Sequence, residues 1–346
     1  MFYIHQHTCI SPQQTYINTN LELLVESVDN QLKVIEPGYE SIPPAVLRRM
    51  GKAVRIGVGA ALSLLQNTVT DGIIIGTANG GMEDCFKFLN QLVRYNEGML
   101  TPGNFVQSTA NAIAAQVGLL TKNNGYNITH VHRGLAFENA LLDAAMMTKE
   151  NPEKNYLLGA VDEISSFNYN IDYLAGWYKT ENISGRDLYK TDSNGSIAGE
   201  GAAMFIVNNI STAANAYVKD VSMLHAVSEE TVAAKLQYFL KENFKDDEKP
   251  DLLISGENGD NRLIKFYNTC ESLIPEHTAI ARFKHMSGEF ATASAIALWL
   301  GCYILKEQVV PVHMIKKNSF ATEIKNILIY NNHKGVQHSF ILLSKP

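Results

Sequence analysis

The chain has 346 residues, 46% of them hydrophobic and 18% charged, with a formal net charge of −6. That length can bury a large core in two packed halves, and the charge gives no global case for nucleic acid or an anionic membrane surface. Cys9, Cys85, Cys270 and Cys302 are widely spaced with no CxxC pair, which argues against a disulfide framework or a zinc site and fits a reducing cytoplasm. The start MFYIHQHTCISP lacks a basic region followed by an apolar run, so no signal peptide is expected. The best apolar stretch, Ala291 to Leu305, is shorter than the roughly 18 residues that span a bilayer.

Phe2 to Ile10 reads as a first strand, and Thr15 to Glu36 as loop with room for one short helix. Ser41 is an N-cap candidate ahead of Pro43 and Pro44. Val46, Met50, Val54, Val58, Leu62 and Leu65 then predict one amphipathic helix. Gly57 and Gly59 inside it lack a third glycine and a preceding strand, so close helix packing is favoured over a dinucleotide site. Asp71 to Thr77 is a continuous apolar run, the pattern of a parallel strand buried on both faces. A glycine turn at 78–81 leads into a helix from Met82 to Arg94. Met99 to Asn104 reads as a loop and Phe105 to Leu120 as a helix rich in small residues.

Tyr126 to Met147 organises the chain: a strand, a sharp turn at Arg133-Gly134, and a helix carrying Leu135, Ala136, Asn139, Ala140, Leu142 and Asp143 at helical period. A strand that feeds a tight turn into a helix N-terminus is how α/β enzymes present a nucleophile. Here His132, Arg133 and Gly134 occupy the turn, and neither Cys nor Ser does. Strands follow at Asn155–Glu163 and Gly199–Asn208, separated by an aromatic excursion at Tyr169–Asp192.

The second half repeats the alternation. Strands are expected at Tyr217–Leu224, Asp251–Ser255, Ala279–Phe283, Ile327–Tyr330 and Ser339–Leu343. Helices are expected at Thr231–Asn243, Asn261–Ser272 and Phe290–Gln308, with a charged turn at 244–250 and a loop from Asn331 to His338. The pattern predicts an α/β protein of two similar halves, 1–210 and 211–346.

Six stretches, in order, resemble the β-ketoacyl synthase family of the thiolase fold. They are NFVQSTANAIAAQVG, GYNITHVHRGLAFENALLDAA, LLGAVDE, GSIAGEGAAMFIV, KHMSGEFATASAIALWLGCYILKEQVVP and IYNNHKGVQHSFILLSK. The resemblance implies layered αβαβα packing and an acyl substrate carried on the phosphopantetheine of an acyl carrier protein. It also implies that the catalytic Cys falls on Gly134, or on Arg133 with a one-residue shift. The first His falls near Gly256-Glu257 and the second on Glu289, since Lys284 matches the family lysine. The acidic partner of that lysine falls on Leu298, and the gating loop has become NNHKGVQ, Asn331 to Gln337.

Gly134 cannot attack a thioester, and carboxylates at Glu257 and Glu289 would oppose an oxyanion unless protonated. The set is similar to the non-catalytic chain length factor, closest to those of aryl-polyene and flexirubin-type pigment clusters. Such a subunit would heterodimerise with an active ketosynthase in the cytoplasm, with the carrier protein as transient partner, and would hold no cofactor or metal. Phe105, Gln107, Ser108, Thr109 and Ala112 would then face the partner and its acyl tunnel, against the plain reading of a core helix. Arg133 either plugs the old site, pairing with Glu289 or Glu138, or reaches solvent. Lys284 and Glu289 are expected to pair. His130, His132 and His285 are either buried histidines or, less simply, metal ligands. Arg48, Arg49, Lys52 and Arg55 form a solvated face or a carrier-protein dock. The alternatives are an acyltransferase or condensing enzyme with relocated residues (His132, Glu289, Cys85) and a stand-alone acyl-binding homodimer.

Overall fold

Glycine-bounded apolar runs build the sheet, and amphipathic segments between them build its cover. The structure, a computed structural model, describes residues 1–245, 248–319 and 322–346. Positions 246 and 247 of the expected charged turn lie outside the described residues. The N-terminal half runs β1 (Phe2–Ile10), β2 (Gln31–Leu32), α1 (Pro44–Leu47), α2 (Lys52–Leu65), β3 (Gly72–Gly76), α3 (Met82–Arg94), α4 (Pro102–Gln107), α5 (Ala112–Thr121), β4 (Tyr126–His130), α6 (Ala136–Glu150), β5 (Tyr156–Asp162), α7 (Ser166–Leu174), β6 (Ala198–Gly199) and β7 (Gly201–Asn208). The C-terminal half runs β8 (Ala216–His225), α8 (Glu229–Asn243), β9 (Leu252–Ser255), α9 (Ile264–Leu273), β10 (Ala279–Arg282), α10 (Lys284–Ser287), α11 (Ser294–Glu307), β11 (Ile315–Lys317), β12 (Asn326–His333) and β13 (Gln337–Ser344).

The main sheet has 11 strands in the order β11-β10-β9-β12-β13-β8-β1-β7-β5-β3-β4. β1 and β8 meet antiparallel at the seam, with Phe2 opposite Val218. Outward from the seam, one half reads β1-β7-β5-β3-β4 and the other β8-β13-β12-β9-β10. Renumbered within each half these are one order, 1-5-4-2-3, with the inner pairings antiparallel and the outer ones parallel. β11 is an added antiparallel edge on the second half. β3 and β5 are buried along their whole length, as parallel strands covered on both faces must be.

The layering follows from the apolar faces. A central core joins α6 (Phe137, Leu141) and α11 (Leu298, Trp299, Cys302) to one face of each half-sheet. α2 and α5 cover the outer face of the first half, and α8 and α9 that of the second. Helix, sheet, helix, sheet, helix is the αβαβα arrangement of the thiolase fold. Gly57 serves packing as expected: a Cβ there would lie 2.8 Å from Ile113 and 2.9 Å from Val161.

Several boundaries differ from the sequence reading. The helix expected from Pro44 to Leu65 breaks at Gly51, which is extended and donates its N–H to Gln107 Oε1 at 2.5 Å. Ser41 caps nothing; α1 begins after Pro43 without a side-chain cap. The helix expected over 105–120 splits into α4 and α5, and α4 absorbs part of the expected loop at 99–104. The segment 15–36 holds the short strand β2 and no helix. The aromatic excursion contains α7. The loop at 331–338 shrinks to a turn at 334–336, because both flanking strands run further than their apolar cores. Among the described residues, no helix is long and apolar enough to cross a membrane.

Candidate functional site

The strand–turn–helix at 126–150 is present. After β4 the chain reaches Arg133, whose φ of 50° is left-handed, then a single 3₁₀ turn over Arg133–Leu135, then α6. Gly134 is buried and has no positive φ, so its backbone would tolerate any residue. Space is what excludes a side chain. A Cβ on Gly134 would sit 2.2 Å from His333 Cβ and 2.5 Å from His333 Cγ. The volume that a side chain at 134 would take is filled by the imidazole of His333, anchored at the end of β12. The Gly134 N–H, the kind of free donor that stabilises an oxyanion, is also taken. It donates to Gln337 Oε1 at 2.9 Å, and Gln337 Nε2 donates to the His132 carbonyl at 3.4 Å. His333 and Gln337 are cross-strand partners at the tip of the β12–β13 hairpin. That tip is fastened to α7, where Lys334 Nζ donates to Asp172 Oδ1 at 2.5 Å. Lys334 and Arg262 lie over the Trp177 ring at 5.3 and 4.5 Å.

Beside this plug, Lys284 and Glu289 pair at 3.0 Å, as the sequence suggested. Lys284 is fully buried, and Asn258 Nδ2 donates to the second Glu289 oxygen at 2.8 Å. The backbone of Glu289 is held too: its N–H goes to Ile197 and its carbonyl accepts from Gly199. Leu298 lies in the central core and supplies no charge. Glu138, in the first turn of α6, is fully buried and accepts from Ser339 Oγ at 2.8 Å. Burial pushes its carboxyl up, with Ser294, Ser339 and Lys284 opposing.

One expectation is corrected. Glu257 does not enter the site. It stays buried and pairs with Arg282 at 2.9 Å and Lys316 at 2.5 Å, and Lys316 also reaches Glu271. The following Asn258 enters instead; the run GENGD signalled a polar turn but not which residue faces inward. Gly256 beside it is packed on Asn331. Of the two readings of Arg133, the solvent-reaching one fits: the residue is exposed, pairs with neither Glu289 nor Glu138, and makes no ion pair among the described residues. Asp162 is a site residue the sequence reading missed. It is buried at the end of β5 and accepts from Thr77 Oγ1, the Ala78 and Asn79 amides and Thr292 Oγ1 at 2.7–3.1 Å. It thereby ties the turn after β3 to the approach to α11.

The three histidines considered together are apart. His130 bonds Asp143 at 2.9 Å, His132 lies beyond the end of β4, and His285 bonds Tyr189 and His313. Burial, His313 and Arg282 pull His285 down to about 3. Lys52 pairs with Glu200 and Arg55 with Glu36, leaving Arg48 and Arg49 exposed. Of the five residues expected to face a partner, Phe105 and Thr109 are exposed and Ser108 is half-buried. Gln107 is turned to its own chain, accepting from Gly51 and donating to the Arg49 carbonyl, and Ala112 packs into the outer core. Cys85 is half-buried on α3.

A cavity of about 400 Å³ opens beside the plug. Arg133, Asp162, Glu163, Asn168, Tyr178, Asn258, Glu289, Phe290 and His333 contribute to its wall.

The fold is thiolase-like, and the strand–turn–helix at 126–150 stands within it. Residues 27–172 match the model of the β-ketoacyl synthase N-terminal domain, so that stretch of the chain is similar to that family. No curated protein matches it in sequence. Among solved structures, it resembles a ketosynthase in complex with its chain length factor from Xenorhabdus doucetiae, at a TM-score of 0.80 and 11% identity over 100% of this chain and 98% of that one. A β-ketoacyl synthase from Burkholderia phymatum matches at 0.78 and 13%, over 100% and 99%. The ishigamide ketosynthase/chain length factor matches at 0.77 and 13%, over 100% and 99%.

Proposed function

We propose that this chain is a non-catalytic, chain-length-factor-like subunit. It pairs with an active β-ketoacyl synthase and helps shape the growing acyl chain, delivered on the phosphopantetheine of an acyl carrier protein, as in aryl-polyene-type biosynthesis. The observation that carries this reading is the double occupation at Gly134: His333 fills the nucleophile's volume and Gln337 takes the amide. A condensing enzyme needs both free. The open edge of the sheet at β4, and the exposed Met99, Phe105, Val106 and Val131 in the same half, support a partner surface. The test is co-expression with a ketosynthase encoded nearby, native mass spectrometry, and acyl transfer from a carrier thioester. A one-to-one complex, with no transfer by this chain alone, is expected. A homodimer that ignores the ketosynthase and becomes acylated would overturn the reading.

A further inference from the structure

The cavity beside the plug presents hydrogen-bond donors with nothing to receive them. Arg133 stands at its mouth in a left-handed conformation, which a bulky residue adopts at some cost. Its guanidinium has no ion pair and no hydrogen bond among the described residues. Asn168 Nδ2, on α7, is buried and unpartnered. His333 Nδ1 is also buried and unpartnered, on a residue only 9% exposed. Such orphans are rare in folded chains and call for an explanation.

The acceptors of the same wall are largely committed. Glu289 is held by Lys284 and Asn258, Asp172 by Lys334, and Asp162 by two hydroxyls and two amides. Glu163 takes the Ala53 N–H at 3.1 Å and, like Asp162, has no cation on it among the described residues. Trp177, Tyr178 and Phe290 supply apolar surface. One free positive charge and two neutral donors suit a single negative charge, and Glu163 disfavours a second. The aromatic wall suits an apolar body.

We propose that this cavity binds an organic monocarboxylate, with Arg133, Asn168 and His333 donating to its head group and the aromatic side chains covering its tail. The proposal does not depend on pairing with a ketosynthase. It needs no thioester and no bond-making step.

Purified full-length chain would be titrated with hexanoate, hexan-1-ol and inorganic phosphate, by calorimetry and ligand-observed NMR. Hexanoate saturates one site, and the alcohol and phosphate bind at least about tenfold more weakly, the low end of what a hydrogen bond to a charged group contributes. Asn168→Asp keeps the shape but turns a donor into an anion, and Arg133→Gln removes the charge; each weakens hexanoate about tenfold or more. Arg48→Gln, an exposed arginine elsewhere, changes nothing. Near-UV circular dichroism checks the fold. Arg133 is exposed, so its variant decides the matter if Asn168→Asp misfolds. Absence of saturation, equal binding of hexanol or phosphate, or wild-type affinity in Arg133→Gln would overturn the proposal.

Discussion

If Gly134 is closed to side chains by His333 alone, then one methyl group added at 134 should be costly, and removing the His333 side chain should abolish that cost. The added Cβ of Gly134→Ala meets His333 Cβ at 2.2 Å, far inside contact distance. The clashing atom is fixed to the β12 backbone, so no rotamer change relieves it. Overpacking of this kind costs about 1–3 kcal/mol. In a His333→Gly background the obstructing atoms are gone, and the same alanine should cost less than about 0.5 kcal/mol. The double-mutant cycle therefore yields a coupling of about 1–3 kcal/mol between the two positions. Urea unfolding at fixed protein concentration, followed by tryptophan fluorescence, measures it. Trp177 beside the hairpin tip and Trp299 in the central core report together. A neutral Gly134→Ala, or the same cost in both backgrounds, would refute the claim that His333 closes position 134 to side chains.

Lys284→Met should cost about 3–5 kcal/mol, because it leaves the Glu289 carboxylate with Asn258 alone; adding Glu289→Gln should recover most of that, and a tolerated single variant would sink the idea. Burial, Asp84 and Glu200 push Glu163 up to about 7, above the usual 4.5 of the unfolded chain. Between these values the folded state binds more protons, so this group's destabilising effect is full above pH 7 and fades as pH falls toward 4.5. Glu163→Gln should thus stabilise by about 1–3 kcal/mol at pH 8 and by little at pH 5, and an equal gain at both would contradict the burial argument. Phe105→Glu, on an exposed side chain, should leave unfolding within about 0.5 kcal/mol of wild type. It should also weaken a ketosynthase complex by about 2 kcal/mol or more, read by titration, and an unweakened complex would remove Phe105 from the interface.

Runs such as GIIIG and YLLGAVD were legible as buried parallel strands because nothing in them suits a solvated face. The repeat of two halves was legible from their alternation with helices. The breaks were not. The interruption at Gly51 is held by Gln107, which belongs to another helix, and no local signal announces it. β11 (Ile315–Lys317) is a half-buried edge with no apolar run to mark it. At the site, Lys284 and Glu289 lie close in sequence around a glycine, and their pairing could be read directly. Which of Glu257 and Asn258 turns inward depends on where Arg282 and Lys316 stand. The roles of His333 and Gln337 depend on a hairpin whose tip meets α6 from the other half of the chain. A polar turn was visible in NNHKGVQ; what it touched was not.

The outer edge of β4 has a consequence for how much of this protein a cell can hold. β4 is hydrogen-bonded to β3 on one side only, and its five residues carry neither Lys nor Pro. These are among the devices that keep natural edges from sticking to one another. Val131 just past its end is exposed as well. A copy released without something to cover this edge is an aggregation seed. Under the proposed pairing its supply has to be matched to that of its cover, by shared translation or by rapid removal of the excess, and the chain made by itself should give a lower soluble yield than the chain co-produced with a ketosynthase.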